Sequence, residues 1–123
     1  MSALQELTKE SFESTVFGQG TVVVDFWASW CGPCMAFAPV YEAAAEAHPD
    51  VQFTKVNTEE EQELAQEASI MSIPTLMVFR DGVLLYREAG ALSASGFEAL
   101  LKQVQELDMD QVRAEIAGKQ EVQ

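Results

Sequence analysis

The only two cysteines of the chain, Cys31 and Cys34, are separated by Gly32 and Pro33. A purely structural disulfide closing so short a loop would contribute only about 2 kcal/mol on a chain-entropy argument. A chain of 123 residues can bury a core without such a staple. Zinc asks for about four ligands, whereas the sequence offers this cysteine pair and one histidine, His48. What remains is reversible redox chemistry, with the pair cycling between dithiol and disulfide.

The surroundings of the pair support that use. Cys31 follows an apolar run, Thr21 to Trp27, and precedes an Ala- and Met-rich stretch, Cys34 to Ala47. A strand leading through Cys-Gly-Pro-Cys into a helix places Cys31 at the helix N-terminus. Unpaired backbone N–H groups and the helix dipole there favour a thiolate, the reactive form. Cys34 comes three residues later on the same helix face, where its sulfur can approach that of Cys31. It should be the more buried of the two. Pro33 suits the first turn, which has no use for its missing donor.

Asp25 interrupts the run Val22-Val23-Val24…Phe26-Trp27. If the strand is covered on both faces, the carboxyl is desolvated and its pKa rises. It then reads as an acid–base group for Cys34; an edge-strand aspartate in water is the alternative. Lys55, in the apolar stretch Val51 to Val56, either couples to Asp25 or points outward.

The elements that must hold these residues follow from periodicity and punctuation. Thr8 can cap a helix reaching Phe17, with Phe12 and Val16 at helical spacing, and Gly18-Gln19-Gly20 ends it. Thr21 to Trp27 reads as a strand buried on both faces. Pro39 should kink the helix after the cysteines, and His48-Pro49-Asp50 leads into a second buried strand. Glu59 to Ala68 reads as a helix with three acids in its first turn. Arg80-Asp81-Gly82 marks a hairpin between Thr75–Phe79 and Val83–Tyr86. Ser95 and Glu98 suggest a capping box for a last helix carrying Phe97, Leu100, Leu101 and Val104. The order α, β, α, β, α, β, β, α implies an α/β domain with a mixed sheet, parallel early and antiparallel late. Residues 108–123 read as an extension in which Met109, Val112 and Ile116 suggest a short amphipathic helix, frayed from Gly118.

Bulk properties exclude several classes. Twenty acids against seven bases, a net charge of −13, leave no basic stripe for nucleic acid and disfavour an anionic membrane surface. The acids from Glu59 to Glu67 read as a solvated helix face that can also bias the choice of partner. No apolar run approaches the roughly 18 to 20 residues that cross a bilayer. The N-terminus lacks a basic then apolar leader, so a cytoplasmic location is expected. No strand runs into a GxGxxG turn, so no nicotinamide or flavin cofactor is indicated and electrons must come from a partner protein.

Trp30-Cys31-Gly32-Pro33-Cys34, with Val22 to Ala28 before it and Ile73-Pro74-Thr75 after it, resembles the thioredoxin family over residues 4–106. The resemblance implies a thioredoxin fold, a central mixed sheet with helices on both faces. It implies that Cys31 attacks a substrate disulfide, that Cys34 resolves the mixed disulfide, and that the two form the redox disulfide. Asp25 would help deprotonate Cys34 with Lys55 nearby, and Gly32 and Pro33 would tune the potential. Pro74 would be a cis-proline facing the dithiol. Ile73 would pair with an extended substrate peptide, and Trp30, Gly90 and Ala91 would complete the apolar contact surface. Without the resemblance, Trp30 could be core, Gly90 a turn and Ala91 filler. The implied partners are disulfide-containing proteins and a thioredoxin reductase.

The sequence departs from the family pattern at Met35 and at Ile70-Met71-Ser72, where basic residues are common, and in the tail after residue 107. The first two remove positive charge and add soft apolar surface. A general disulfide reductase is the leading reading. A binding module without turnover has no need of two cysteines. An oxidase or isomerase is disfavoured by the Gly-Pro dipeptide and by the lack of a leader.

Overall fold

Strand formation at Thr21–Trp27 organises the domain, because its β-branched and aromatic side chains alternate between two apolar layers. The computed structural model describes residues 4–122, with side chains to 118. In chain order the elements are β1 (Gln5–Glu6), α1 (Lys9–Val16), β2 (Thr21–Trp27), α2 (Gly32–Ala47), β3 (Gln52–Asn57), α3 (Gln62–Glu67), β4 (Thr75–Arg80), β5 (Val83–Ala89), α4 (Ala94–Glu106) and α5 (Met109–Val122). The five strands form one mixed sheet in the order β1-β3-β2-β4-β5. β3 runs parallel to both β1 and β2, whereas β4 is antiparallel to β2 and β5.

β2 is therefore the central strand, and each of its faces has its own core. Val23 packs with Phe37 and Tyr41 of α2 and Phe97 and Leu101 of α4. Val22, Val24 and Phe26 pack on the opposite face with Val16 of α1 and Leu64 of α3. On the α2 face the rings of Tyr41 and Phe97 stack at 5.8 Å, and Phe53 meets Phe97 edge-on at 6.1 Å. Tyr41 also satisfies its buried hydroxyl, which donates towards the Val23 and Thr54 carbonyls at 3.1 and 2.6 Å. It thereby staples β2 and β3 to α2.

Turn chemistry sets the sheet's second half. Asp81 and Gly82 have φ of 52° and 80°, the pair of left-handed residues that a two-residue hairpin requires. Asp81 is held there by Gly20: its N–H donates to the Gly20 carbonyl and its carboxylate accepts the Gly20 N–H, both at 2.9 Å. A side chain at position 82 would also come within 3.2 Å of the Phe17 carbonyl.

Four local features differ from the sequence expectation. β1 is not marked by any apolar pattern; its two exposed residues are a strand only through pairing with Thr54 and Lys55. α3 begins at Gln62 rather than Glu59. The Asn57 side chain accepts the N–H groups of Glu59 and Glu60 at 2.9 and 3.4 Å, a local bond that competes with helix formation. The cap of α4 is Ser93, whose hydroxyl accepts the Gly96 N–H at 3.1 Å. Ser95 lies inside the helix, and Glu98 instead meets His48 Nε2 at 2.8 Å. In the tail, α5 buries Met109 while Ile116 is exposed.

The aromatic contacts make Phe97 the hub of the α2-side core. Replacing Phe97 with Ala should cost about 3–5 kcal/mol, read as a lower urea midpoint with an unchanged slope.

Candidate functional site

The end of β2 delivers the chain to the site. After Trp27 the backbone turns through Ala28, buried, and Ser29 and Trp30, exposed. Cys31 is the N-cap of α2, with an extended backbone, and its sulfur accepts the Cys34 N–H at 3.2 Å. Pro33 sits in the first turn, so the sulfur takes the place of the oxygen that usually caps a helix. Cys31 and Cys34 are joined as a disulfide with Cα atoms 5.2 Å apart. Both are buried, at 4% and 1% exposure, so the sequence-expected contrast in burial is small in the oxidised pair. The two sulfurs pack with Ala28, Trp27 and Ile73.

Ile73 faces the pair from across the site. Its carbonyl oxygen lies 3.6 Å from Cys31 Sγ, a contact while the cysteines are oxidised and within a thiol's reach once they are reduced. The Ile73–Pro74 peptide bond is cis. The Pro74 carbonyl accepts the Gly90 N–H at 2.8 Å, and Gly90 has φ +106°, a conformation that side-chain-bearing residues rarely adopt. Ala91 follows on the exposed side.

Beside the disulfide runs a groove of about 410 Å³ lined by Trp30, Thr58, Ile70, Met71 and Ile73. Trp30 is 70% exposed and Met71 93%, so neither is core. Met35 is also exposed on the first turn of α2. Glu59, the residue after Thr58, accepts the hydroxyl of Ser29, the residue before Trp30, at 3.0 Å. From sequence, Ile70 is read only as part of the Ile70-Met71-Ser72 departure, and Thr58 is not singled out. The α3–β4 connection brings Ile70 to the site, and Thr58, just after β3, is placed there by its N–H and hydroxyl, which both donate to the Trp27 carbonyl.

Asp25 lies in the middle of β2 and is 2% exposed, which excludes the edge-strand alternative. By strand alternation it shares the α2 face with Val23 and Trp27. Its Oδ1 has no hydrogen-bond partner, and neither has Nε1 of Trp27. Burial pushes the Asp25 carboxyl up from 3.8 to about 7, and the charge of Lys55 pulls it part of the way back. Lys55 is its register neighbour on β3. The lysine does not point freely outward: its Nζ lies 4.1 Å above the Trp27 ring, a cation–π arrangement. Trp27 thus joins two groups, since the same ring carries Lys55 and packs against the cysteine cluster.

Asp25 and Lys55 are thus linked to the cysteine cluster through Trp27, while Ile73 packs on the sulfurs, Trp30 lines the groove with it, and Pro74 bonds to Gly90, which precedes Ala91. Gly32 and Pro33 form the turn between the sulfurs. The arrangement combines a sulfur pair at a helix N-terminus, a carboxyl that titrates near neutrality and an apolar groove. Such a set can exchange electron pairs with an external disulfide by transfer of sulfur–sulfur bonds. Among the described residues no three His, Cys, Asp or Glu side chains are grouped to hold a metal ion. No helix there is long and apolar enough to cross a membrane.

These features define a redox-active Cys-x-x-Cys domain on a mixed five-stranded sheet, and comparison with known proteins gives the family. The chain matches the Thioredoxin family profile over residues 3–103. It is 50% identical, over 120 residues, to a Streptomyces coelicolor protein with the provisional name thioredoxin 2, covering 98% of this chain and 90% of that one. It is 43% identical to a thioredoxin of Alicyclobacillus acidocaldarius, covering 83% and 98%. The structure superposes on thioredoxin of Malassezia sympodialis with a TM-score of 0.73 at 35% identity, covering 81% and 91% of the two chains. Mitochondrial thioredoxin 3 of Saccharomyces cerevisiae, oxidised, gives 0.72 at 31% identity, covering 85% and 96%. The chain belongs to the thioredoxin family, and thiol–disulfide redox chemistry is what its cysteine pair supports.

The raised carboxyl has a stability consequence whose sign is fixed. The unfolded chain releases the Asp25 proton near pH 4 and the folded chain only near pH 7, so folding is disfavoured progressively across that interval and uniformly above it. The full penalty is about 4 kcal/mol. Asp25→Asn should therefore be the more stable protein at pH 8, with an advantage that shrinks as pH falls from 7 to 4. Urea unfolding of the oxidised proteins at several pH values checks this.

Proposed function

We propose that the protein is a general protein disulfide reductase, an electron carrier kept reduced by a thioredoxin reductase. The observation that carries this reading is the Cys31–Cys34 disulfide at the N-terminus of α2, backed by a buried carboxyl with a pKa near 7 and opening on an apolar groove. In the reduced state the Cys31 thiolate attacks one sulfur of a substrate disulfide. A Cys31–substrate disulfide forms and the other substrate sulfur leaves as a thiolate. Asp25, as carboxylate, takes the proton of Cys34, whose thiolate attacks Cys31 and releases the second substrate thiolate. The protein is left oxidised, and two electrons from the reductase restore the dithiol.

Each part of the site supports one step. The first-turn N–H groups of α2 favour the Cys31 thiolate. Asp25 is matched to proton transfer near neutral pH, and Lys55, over Trp27, moderates the acid without neutralising it. The Ile73 backbone offers an extended peptide a pairing edge beside Cys31. Trp30, Met71 and the Gly90–Ala91 turn supply apolar contact. A cytoplasmic location fits a dithiol that must be kept reduced. Residues 1–107 carry all of this; residues 108–123 are read as an appended segment.

Purified protein with dithiothreitol should reduce polypeptide disulfides, and NADPH with a thioredoxin reductase should replace the dithiothreitol. A midpoint potential near about −120 mV, the range of strongly oxidising dithiol proteins, would overturn the reductase reading. Cys31→Ser should be inactive, and Cys34→Ser should accumulate a covalent adduct through Cys31, visible by mass spectrometry. Asp25→Asn should slow resolution of that adduct roughly 10²-fold near pH 7. A rate unchanged from pH 6 to 9 would remove Asp25 from proton transfer.

A further inference from the structure

The apolar lip of the groove, residues 70–73, is held at both ends, and upstream the Ile70 N–H closes the end of α3 on the Ala65 carbonyl at 2.9 Å. Downstream, the Thr75 hydroxyl donates to the Ser72 carbonyl at 2.6 Å. Upstream the chain leaves α3, a helix of six residues with no basic residue in its last turn. It passes through Ser69 at φ 57°, a left-handed conformation disfavoured for a residue with a side chain. The carbonyls at this point are claimed by Arg87, which reaches over from the edge strand β5. Its Nη1 donates to the Ala68 carbonyl and its Nη2 to the Ser69 carbonyl, both at 2.8 Å. Among the described residues Arg87 has no acidic partner in an ion pair. Its fork is spent on these two carbonyls, and a rigid two-pronged donor is what adjacent carbonyls need.

We propose that Arg87 is a positioning residue for polypeptide substrates. By fixing Ala68 and Ser69 it holds Met71 and the Ile73 backbone in place beside Cys31 before a substrate arrives. The inference rests on the reading of the groove as the substrate site. It concerns this chain's own means of shaping that site, since α3 is too short to supply a firm base. Without the fork, the Ile70–Ala65 bond alone would tie the lip to α3, residues 71–73 would have to be ordered further during binding, and that cost would be taken from affinity. The sulfur chemistry would not change, because Arg87 touches neither cysteine nor Asp25. A small disulfide that reaches Cys31 without lying along the lip would be reduced as before.

Arg87→Gln and Arg87→Lys separate these effects, with dithiothreitol as reductant so that no reductase is involved. Insulin serves as the polypeptide disulfide under turnover, and 5,5′-dithiobis(2-nitrobenzoate) as the small one in a single turnover with protein that has been reduced and then freed of dithiothreitol. In Arg87→Gln, KM for insulin should rise about tenfold with kcat within about twofold, and the small disulfide should react at the wild-type rate. Arg87→Lys, able to reach one carbonyl but not both, should fall between. Amide exchange at Met71 and Ile73 should quicken in Arg87→Gln while that of Val24 in β2 stays as in wild type. An unchanged KM for insulin would overturn the proposal. So would equal slowing of both substrates, which would make Arg87 a support of the fold as a whole. Failure of the wild-type protein itself to reduce insulin would instead sink the reductase reading, and this inference with it.

Discussion

A carboxyl group with an unpartnered oxygen, set in the central strand of the sheet, is the constraint around which the molecule is built. Asp25 cannot be moved to the surface without breaking the alternation of β2, in which Val22, Val24 and Phe26 serve one core and Val23 the other. Its burial is destabilising above neutral pH by the amount its raised pKa implies. The fold tolerates this because two apolar layers, one on each face, are closely packed. Tyr41 shows the contrast: it is fully buried in the same layer, but its hydroxyl is matched to two carbonyls. Of the two buried polar atoms left without a partner among the described residues, Asp25 Oδ1 and Trp27 Nε1, the first is the one that titrates in the proposed cycle.

The electrostatics of the neighbourhood are graded rather than neutralised. A direct ion pair would hold Asp25 ionised at all working pH values. Lys55 acts from its place over the Trp27 ring, and its pull is outweighed by desolvation. Outside, the groove is largely apolar, and Met35 and Met71 stand exposed at the positions where the sequence departs from the family pattern. In the proposed cycle the inner layer bears on proton transfer and the outer layer on which partners dock.

Much of the fold was legible because helix and strand periods are written in the apolar residues, and Asp81-Gly82 prescribes its own turn. The dithiol was legible from spacing, and Asp25 from the contradiction of a charge in an apolar run. What sequence left hidden depends on partners distant in the chain. β1 is two polar residues that become a strand only beside β3. Glu59 and Glu60 look helical until Asn57 claims their N–H groups. Arg87 looks like an ordinary exposed strand residue until its fork meets two carbonyls nearly twenty positions earlier. Trp30 was open to a core reading because an aromatic side chain next to a strand reads the same whether it turns in or out.

The closeness of Cys31 and Cys34, on one helical turn with Cα atoms 5.2 Å apart, has a kinetic meaning in the proposed cycle. Any sulfur that bonds to Cys31 from another molecule faces an internal rival already within reach, and an intramolecular competitor acts at a very high effective concentration. The dwell time of a bound protein is then set by the ejecting thiol and not by how well the surfaces fit. A groove of soft, adaptable apolar contacts can therefore accept many shapes without being trapped by the ones it fits best.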